Sequence, residues 1–154
     1  MRRAGRLVHQ TLQQCRQACR PGATTRELDD AAERMLEGSG AVPLFKNYPT
    51  YRPGEGFPAV TCISVNEEVV HGIPGDRVLE EGDVVSVDFG CRIDGWCGDS
   101  ATTFMVGQVS PERRRLCDVT KHVLQIALEN VQPGRRWSQV ARLMQNYAEK
   151  AGMG

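Results

Sequence analysis

Two aspartates, Asp88 and Asp99, stand eleven positions apart in the segment VDFGCRIDGWCGDS. Both fall in text that otherwise reads as a half-buried hairpin. Leaving a buried charge without its partner costs about 3–5 kcal/mol, so two carboxylates in one hairpin invite a shared cation. Asp94-Gly95 between the runs is a two-residue turn signal. Closing the hairpin there sets Asp88 opposite Ala101 and Asp99 opposite Gly90. The aspartates then become diagonal neighbours on one sheet face, about 7–8 Å apart at Cα. Val85, Val87, Phe89, Cys91 and Ile93 take the other face and read as core. Two readings stand. Paired carboxylates at this spacing suit one or two divalent ions. Alternatively, Asp88 pairs with a nearby arginine such as Arg92, and Asp99 bonds the backbone near Gly98. A register slip of one residue would put the aspartates on opposite faces.

His71, in NEEVVHGIPG, is placed by this reading at a strand end before a turn-forming Gly-Ile-Pro-Gly. An isolated histidine there is either a structural hydrogen-bonder or a proton-transfer group. His9 and His122 sit in helical text with polar neighbours and carry no such signal. Six cysteines include no CxxC pair: Cys15 and Cys19 share a helix, Cys62 lies in strand text, and Cys91 and Cys97 flank the turn. Free thiols in a reducing, cytoplasmic compartment are expected.

The elements that must hold these residues follow from periodicity. Residues 3–19 carry Leu7, Val8, Leu12 and Cys15 at helical spacing. After Pro21-Gly22, Thr24 and Glu27 form a capping box for a second helix bearing Leu28, Ala31, Ala32, Met35 and Leu36, closed at Gly38-Ser39-Gly40. Residues 42–58 read as a long irregular loop. Strands are expected in AVTCISV, GDVVSVDFGC and WCGDSATTFMV. Two more helices follow. The first is capped by Ser110 with Pro111 at its first position and ends at Pro133-Gly134; the second has Ser138 as a cap and ends at Gly152. Leu124, Leu128, Met144 and Tyr147 are expected in their core. A shift of 112 positions maps Pro21-Gly22 onto Pro133-Gly134, Leu12 onto Leu124, Leu28 onto Val140 and Gly40 onto Gly152. This is an internal repeat of helix, Pro-Gly, helix, glycine. The expected organisation is one incomplete domain over 1–154, with a first repeat over 1–107 and the helical start of a second over 108–154.

With 154 residues, 40% of them hydrophobic, the chain is large enough for one real core. Nineteen basic and nineteen acidic residues cancel, so no global field points to DNA or to an anionic membrane. Glu112-Arg113-Arg114-Arg115 reads as a solvated first helical turn. No apolar run has signal-peptide or transmembrane length.

The segments AVTCISVNEEVVHGIPG and GDVVSVDFG with DGWCGDSATTFMVG, together with MRRAGRLV and PGATTRELD, closely resemble type I methionine aminopeptidase. The resemblance implies an α+β fold of the pita-bread (creatinase/aminopeptidase) type, built from two similar halves. It implies metal-dependent removal of the initiator methionine from nascent proteins. Asp88 matches a ligand of one metal ion and Asp99 the ligand bridging two. His71 matches the histidine beside the scissile amide. Phe45, Tyr48, Phe57 and Cys62 fall where the family lines its methionine pocket, although YPTYRPGEGFPAV is longer than the family's turn. Asn66, with the backbone near Glu68, matches a monovalent-cation site. The cofactors implied are two divalent ions (cobalt, manganese, iron, zinc or nickel). The partners implied are N-terminal methionyl peptides, nascent chains and the ribosome. The family's other three ligands, a histidine and two glutamates, match positions past Gly154. The chain alone is therefore expected to be inactive and to self-associate through uncovered strand edges and helix faces. The alternative is a truncated, non-catalytic module that binds peptide N-termini or a protein partner.

Overall fold

The computed structural model describes residues 1–49 and 54–153 and divides into two units, Met1–Val109 and Ser110–Gly154. The first unit contains helices α1 (Arg2–Ala18) and α2 (Thr25–Leu36) and strands β1 (Val42–Pro43), β2 (Thr61–Val65), β3 (Val84–Ile93) and β4 (Trp96–Met105). The second contains helices α3 (Pro111–Asn130) and α4 (Trp137–Lys150).

Every β3 partner is antiparallel. β4 runs along its full length, from Val84↔Met105 to Ile93↔Trp96. The other edge of β3 is shared, with β2 paired to Val85–Phe89 and β1 paired to Cys91 and Arg92. Asp94 and Gly95 have φ of 51° and 79°, the mirror-image turn whose twist matches that of a hairpin.

One face of β3 is apolar, and helices cover it. Val85, Val87, Phe89 and Cys91 are buried there together with Leu7, Val8, Leu12, Cys15 and Leu28 of the helices. α1 packs on β3 and β4, and α2 on β2. α2 starts as its sequence demands: Thr24 Oγ1 accepts from Glu27 N–H, and the Glu27 carboxylate accepts from Thr24 N–H. Cutting Leu28, fully buried, to alanine would cost about 2–5 kcal/mol.

In the second unit Ser110 caps α3 by accepting from Arg113 N–H, with Pro111 in the first turn. α4 begins two residues earlier than a Ser138 cap would place it. Arg136 is the cap residue, its N–H donating to Gln139 Oε1, and Ser138 lies inside the helix. Leu124 and Leu128 do not reach a core. They are 57% and 66% exposed, because α3 and α4 bury little besides Ala127 and Val140 against each other. His122 stacks on Tyr147 with ring centroids 4.3 Å apart. At two glycine pairs the backbone matches across the 112-position shift. Gly22 and Gly134 have φ of 85° and 82°, and Gly40 and Gly152 both have 73°. The copies differ in packing: Leu12 is buried against the sheet, whereas Leu124 faces solvent.

The expected loop over 42–58 holds some regular structure. It contains β1 and a Pro49↔Gly56 bridge, with Asn47 N–H donating to Phe57 O (2.8 Å) and Phe57 N–H to Tyr48 O (2.9 Å). Its middle, 50–53, lies outside the described residues.

Candidate functional site

The hairpin places Asp88 opposite Ala101 and Asp99 opposite Gly90, the register read from the sequence, so both aspartates rise from one face. Cys62 of β2 sits opposite Asp88 on that face. Asp99 lies across Gly90: a Cβ on Gly90 would fall 2.7 Å from Asp99 Oδ2. Glycine is what lets the carboxylate lie over this position.

Asp88 is half-buried, and its Oδ1 is buried with no hydrogen-bond partner among the described residues. Burial raises its pKa, the neighbouring Asp99 charge raises it further, and His71 partly offsets both. The Cys62 thiol is pushed up to about 11, first by burial and then by the charges of Asp88, Asp99 and Asp29. Asp99 and His71 thus bear on the charge of Asp88, and both aspartates bear on the Cys62 thiol. A buried carboxylate oxygen with no partner, facing a second carboxylate, is a site with negative charge to spare. The Arg92 pairing is absent from the ion pairs among the described residues.

His71 is not at a strand end. β2 stops at Val65, and His71 follows in an irregular segment with φ of 60°. The segment is fastened to β2 by its neighbour. Ile63 N–H donates to Gly72 O (2.9 Å), and Gly72 N–H donates to Ser64 Oγ (3.1 Å). A Cβ at Gly72 would come within 2.1 Å of Ile63 O, so only glycine allows this contact. His71 itself remains exposed.

Of the other expected pocket residues, Phe45 and Phe57 are half-buried and Tyr48 is 68% exposed. Asn66 and Glu68 are occupied structurally. Asn66 donates to Asp83 Oδ1 (2.8 Å) and accepts from Val84 N–H (3.0 Å). Glu68 accepts from Val65 N–H (2.8 Å) and pairs with Arg77. All six cysteines are free thiols, as expected. Sequence reasoning missed Asp29, whose Oδ1 accepts from Val60 N–H, Thr61 N–H and the Thr61 hydroxyl. A carboxylate beside the apolar stripe of α2 was the available signal.

As a metal site this set is open. Asp88 and Asp99 supply one side of an oxygen-donor shell, and no group of three or more metal-ligating side chains gathers among the described residues. The donor chemistry fits a divalent ion; the count does not close its shell.

Two carboxylates and a thiol on a helix-backed antiparallel sheet offer donors of the kind that divalent ions take. Comparison with known proteins makes the assignment. The sequence profile of metallopeptidase family M24 matches residues 1–154, and the chain belongs to that family. It is 44% identical over 149 residues to methionine aminopeptidase 1 of Bacillus subtilis, covering 97% of this chain and 58% of that protein. It is 43% identical over 155 positions to methionine aminopeptidase of Clostridium acetobutylicum, covering all of this chain and 60% of that protein. The methionine aminopeptidase structure from Thermotoga maritima superposes with a TM-score of 0.91 at 36% identity, over 99% of this chain and 59% of that one. Escherichia coli aminopeptidase P shares the fold at a TM-score of 0.82 and 22% identity, over 97% of this chain and 32% of that one. The fold is the α+β pita-bread fold. The chain spans about 60% of the length of the curated relatives it matches. Among the described residues, no helix is long and apolar enough to cross a membrane.

Proposed function

We propose that this chain carries part of the active site of a cytoplasmic methionine aminopeptidase, which removes the initiator methionine from nascent chains. The observation that carries the reading is the convergence of Asp88 and Asp99 on one sheet face, with a buried Asp88 oxygen left without a partner. Asp88 and Asp99 would hold the divalent metal through their carboxylates, Asp99 serving as the shared ligand. When bound, divalent metal supplies Lewis acidity and an activated water for amide hydrolysis.

The chain's own residues bind and orient the substrate. Phe45, Phe57 and Cys62 offer an apolar, sulfur-bearing wall suited to a thioether side chain, with Tyr48 at its solvent edge. His71, exposed, would hydrogen-bond the scissile amide and hand on a proton. The turn from Val65 to Glu68 is the proposed monovalent-cation site; because the Asn66 and Glu68 side chains are engaged elsewhere, its backbone carbonyls would supply the donors. The ribosome, where nascent chains emerge, is the proposed partner.

Two carboxylates alone make a weak divalent site, so residues 1–154 by themselves are expected to bind manganese with a Kd of about 10⁻⁴–10⁻³ M and to hydrolyse methionyl peptides negligibly. Isothermal titration with manganese, run beside a methionyl-peptide assay, tests both. Binding in the wild type that is lost in Asp88→Asn and in Asp99→Asn supports the site. Binding that survives both substitutions overturns the ligand assignment, and turnover by the isolated chain overturns the part-site reading.

A further inference from the structure

Cys62 and His71 both depend on β2, a strand of only five residues, Thr61–Val65. Cys62 belongs to it, and the His71 segment is bonded to it through Gly72. Besides its pairing with β3, the start of this strand is held by a single oxygen. Asp29 Oδ1 accepts from Val60 N–H at 3.1 Å, from Thr61 N–H at 2.8 Å and from the Thr61 hydroxyl at 2.6 Å. Thr61 is fully buried, so losing this acceptor leaves its N–H and hydroxyl to be satisfied inside the fold. Hydrogen bonds to an ionised acceptor are also stronger than neutral ones. One helical turn further along α2, Glu33 pairs with Lys46, the neighbour of Phe45. A single helix face therefore grips both β2 and the loop that carries Phe45.

We infer that Asp29 is a positioning residue for the candidate site, whose carboxylate fixes the start of β2 and so keeps Cys62 opposite Asp88 and the His71 segment alongside. The inference rests on the proposal that these residues form one site. Its test reads backbone geometry rather than turnover or metal binding, so the two fail separately.

The experiment is residue-resolved amide hydrogen exchange on the 154-residue chain, comparing wild type with Asp29→Ala, Asp29→Asn and Thr61→Val. The informative amides are Ile63, bonded to Gly72 O, and Gly72, bonded to Ser64 Oγ. The controls are Leu79, bonded to Ala23 O, and Val106, bonded to Asp83 O. In Asp29→Ala, exchange at Ile63 and Gly72 is expected to rise about tenfold or more while the controls stay within about threefold. Asp29→Asn, which keeps an oxygen acceptor, is expected to restore protection. If Ile63 and Gly72 are unchanged in Asp29→Ala, Asp29 is a local cap and the inference fails. It fails equally if the controls rise as much, which would make the effect global, or if asparagine does not rescue. Should Asp29→Ala not fold, Thr61→Val removes only the 2.6 Å bond, and the same comparison of Ile63 and Gly72 with the controls decides.

Discussion

Without metal, the carboxylate pair is a burden to the fold, and the substitution Asp88→Asn measures it. Asp88 and Asp99 are diagonal neighbours across the hairpin, about 7 Å apart, where two unit charges repel by about 0.6 kcal/mol in water and about 2.4 at an effective dielectric of 20. Asp99 is exposed, so the lower part of this range applies, about 1 kcal/mol. Removing one charge in EDTA at pH 7 should therefore raise Tm by about 4 °C for a unit of this size. The pH dependence has a definite sign. Asp88 has a pKa raised by folding, so its favourable contribution is full at low pH and is lost as pH rises through the raised value. The advantage of the variant over wild type should thus shrink on acidification. Metal should reverse the ranking: if Asp88 and Asp99 hold it, manganese at ten times its Kd is expected to stabilise the wild type by about 1.4 kcal/mol and leave the variant unmoved. Thermal melts with and without manganese, at pH 7 and in the acid range, supply all these comparisons. An Asp88→Asn variant less stable than wild type in EDTA at pH 7 would overturn this expectation. It would mean that Asp88 serves as a structural acceptor.

Two other outcomes are expected. Alkylation of the native chain at pH 8, mapped by mass spectrometry, should modify exposed Cys97 at least about tenfold faster than Cys15 or Cys62, because burial pushes those thiols up to about 12 and about 11; equal rates would contradict the packing of β2 against β3. The outer edge of β4 has no strand partner among the described residues, and Ser100–Met105 carries no proline or charge to protect it. Sedimentation should therefore show concentration-dependent association that Thr102→Pro weakens, and a monomer at all concentrations would remove this expectation.

Much of the site could be read before the fold was known, wherever the information is local. Asp94-Gly95 and strict alternation fix the hairpin register, and the register fixes which face both aspartates share. The Thr24–Glu27 cap and the Ser110-Pro111 start are local in the same way. What stayed hidden depends on contacts between distant segments. Asp29 and Thr61 are 32 positions apart, and Gly72 reaches Ile63 through an irregular segment that no periodicity describes. The sequence placed His71 at the end of a strand because VV precedes it, yet Val69 and Val70 are exposed and β2 has already stopped. Leu124 and Leu128 have core spacing, but spacing supplies no partner surface. The Ser138 cap failed because helix ends shift by a residue or two without altering the helix.

The sheet also implies an order of assembly. Both carboxylates lie within one contiguous hairpin, Val84–Met105, closed by a two-residue turn, and such pieces form in about 1–10 μs. β2 precedes that hairpin by 18 intervening residues, so its docking waits on the closure of a longer loop and on the arrival of α2 with Asp29. The folding chain is therefore expected to make its negative face first and to bring the thiol and imidazole to it afterwards. A divalent ion met during folding would find the aspartates before the surrounding walls exist.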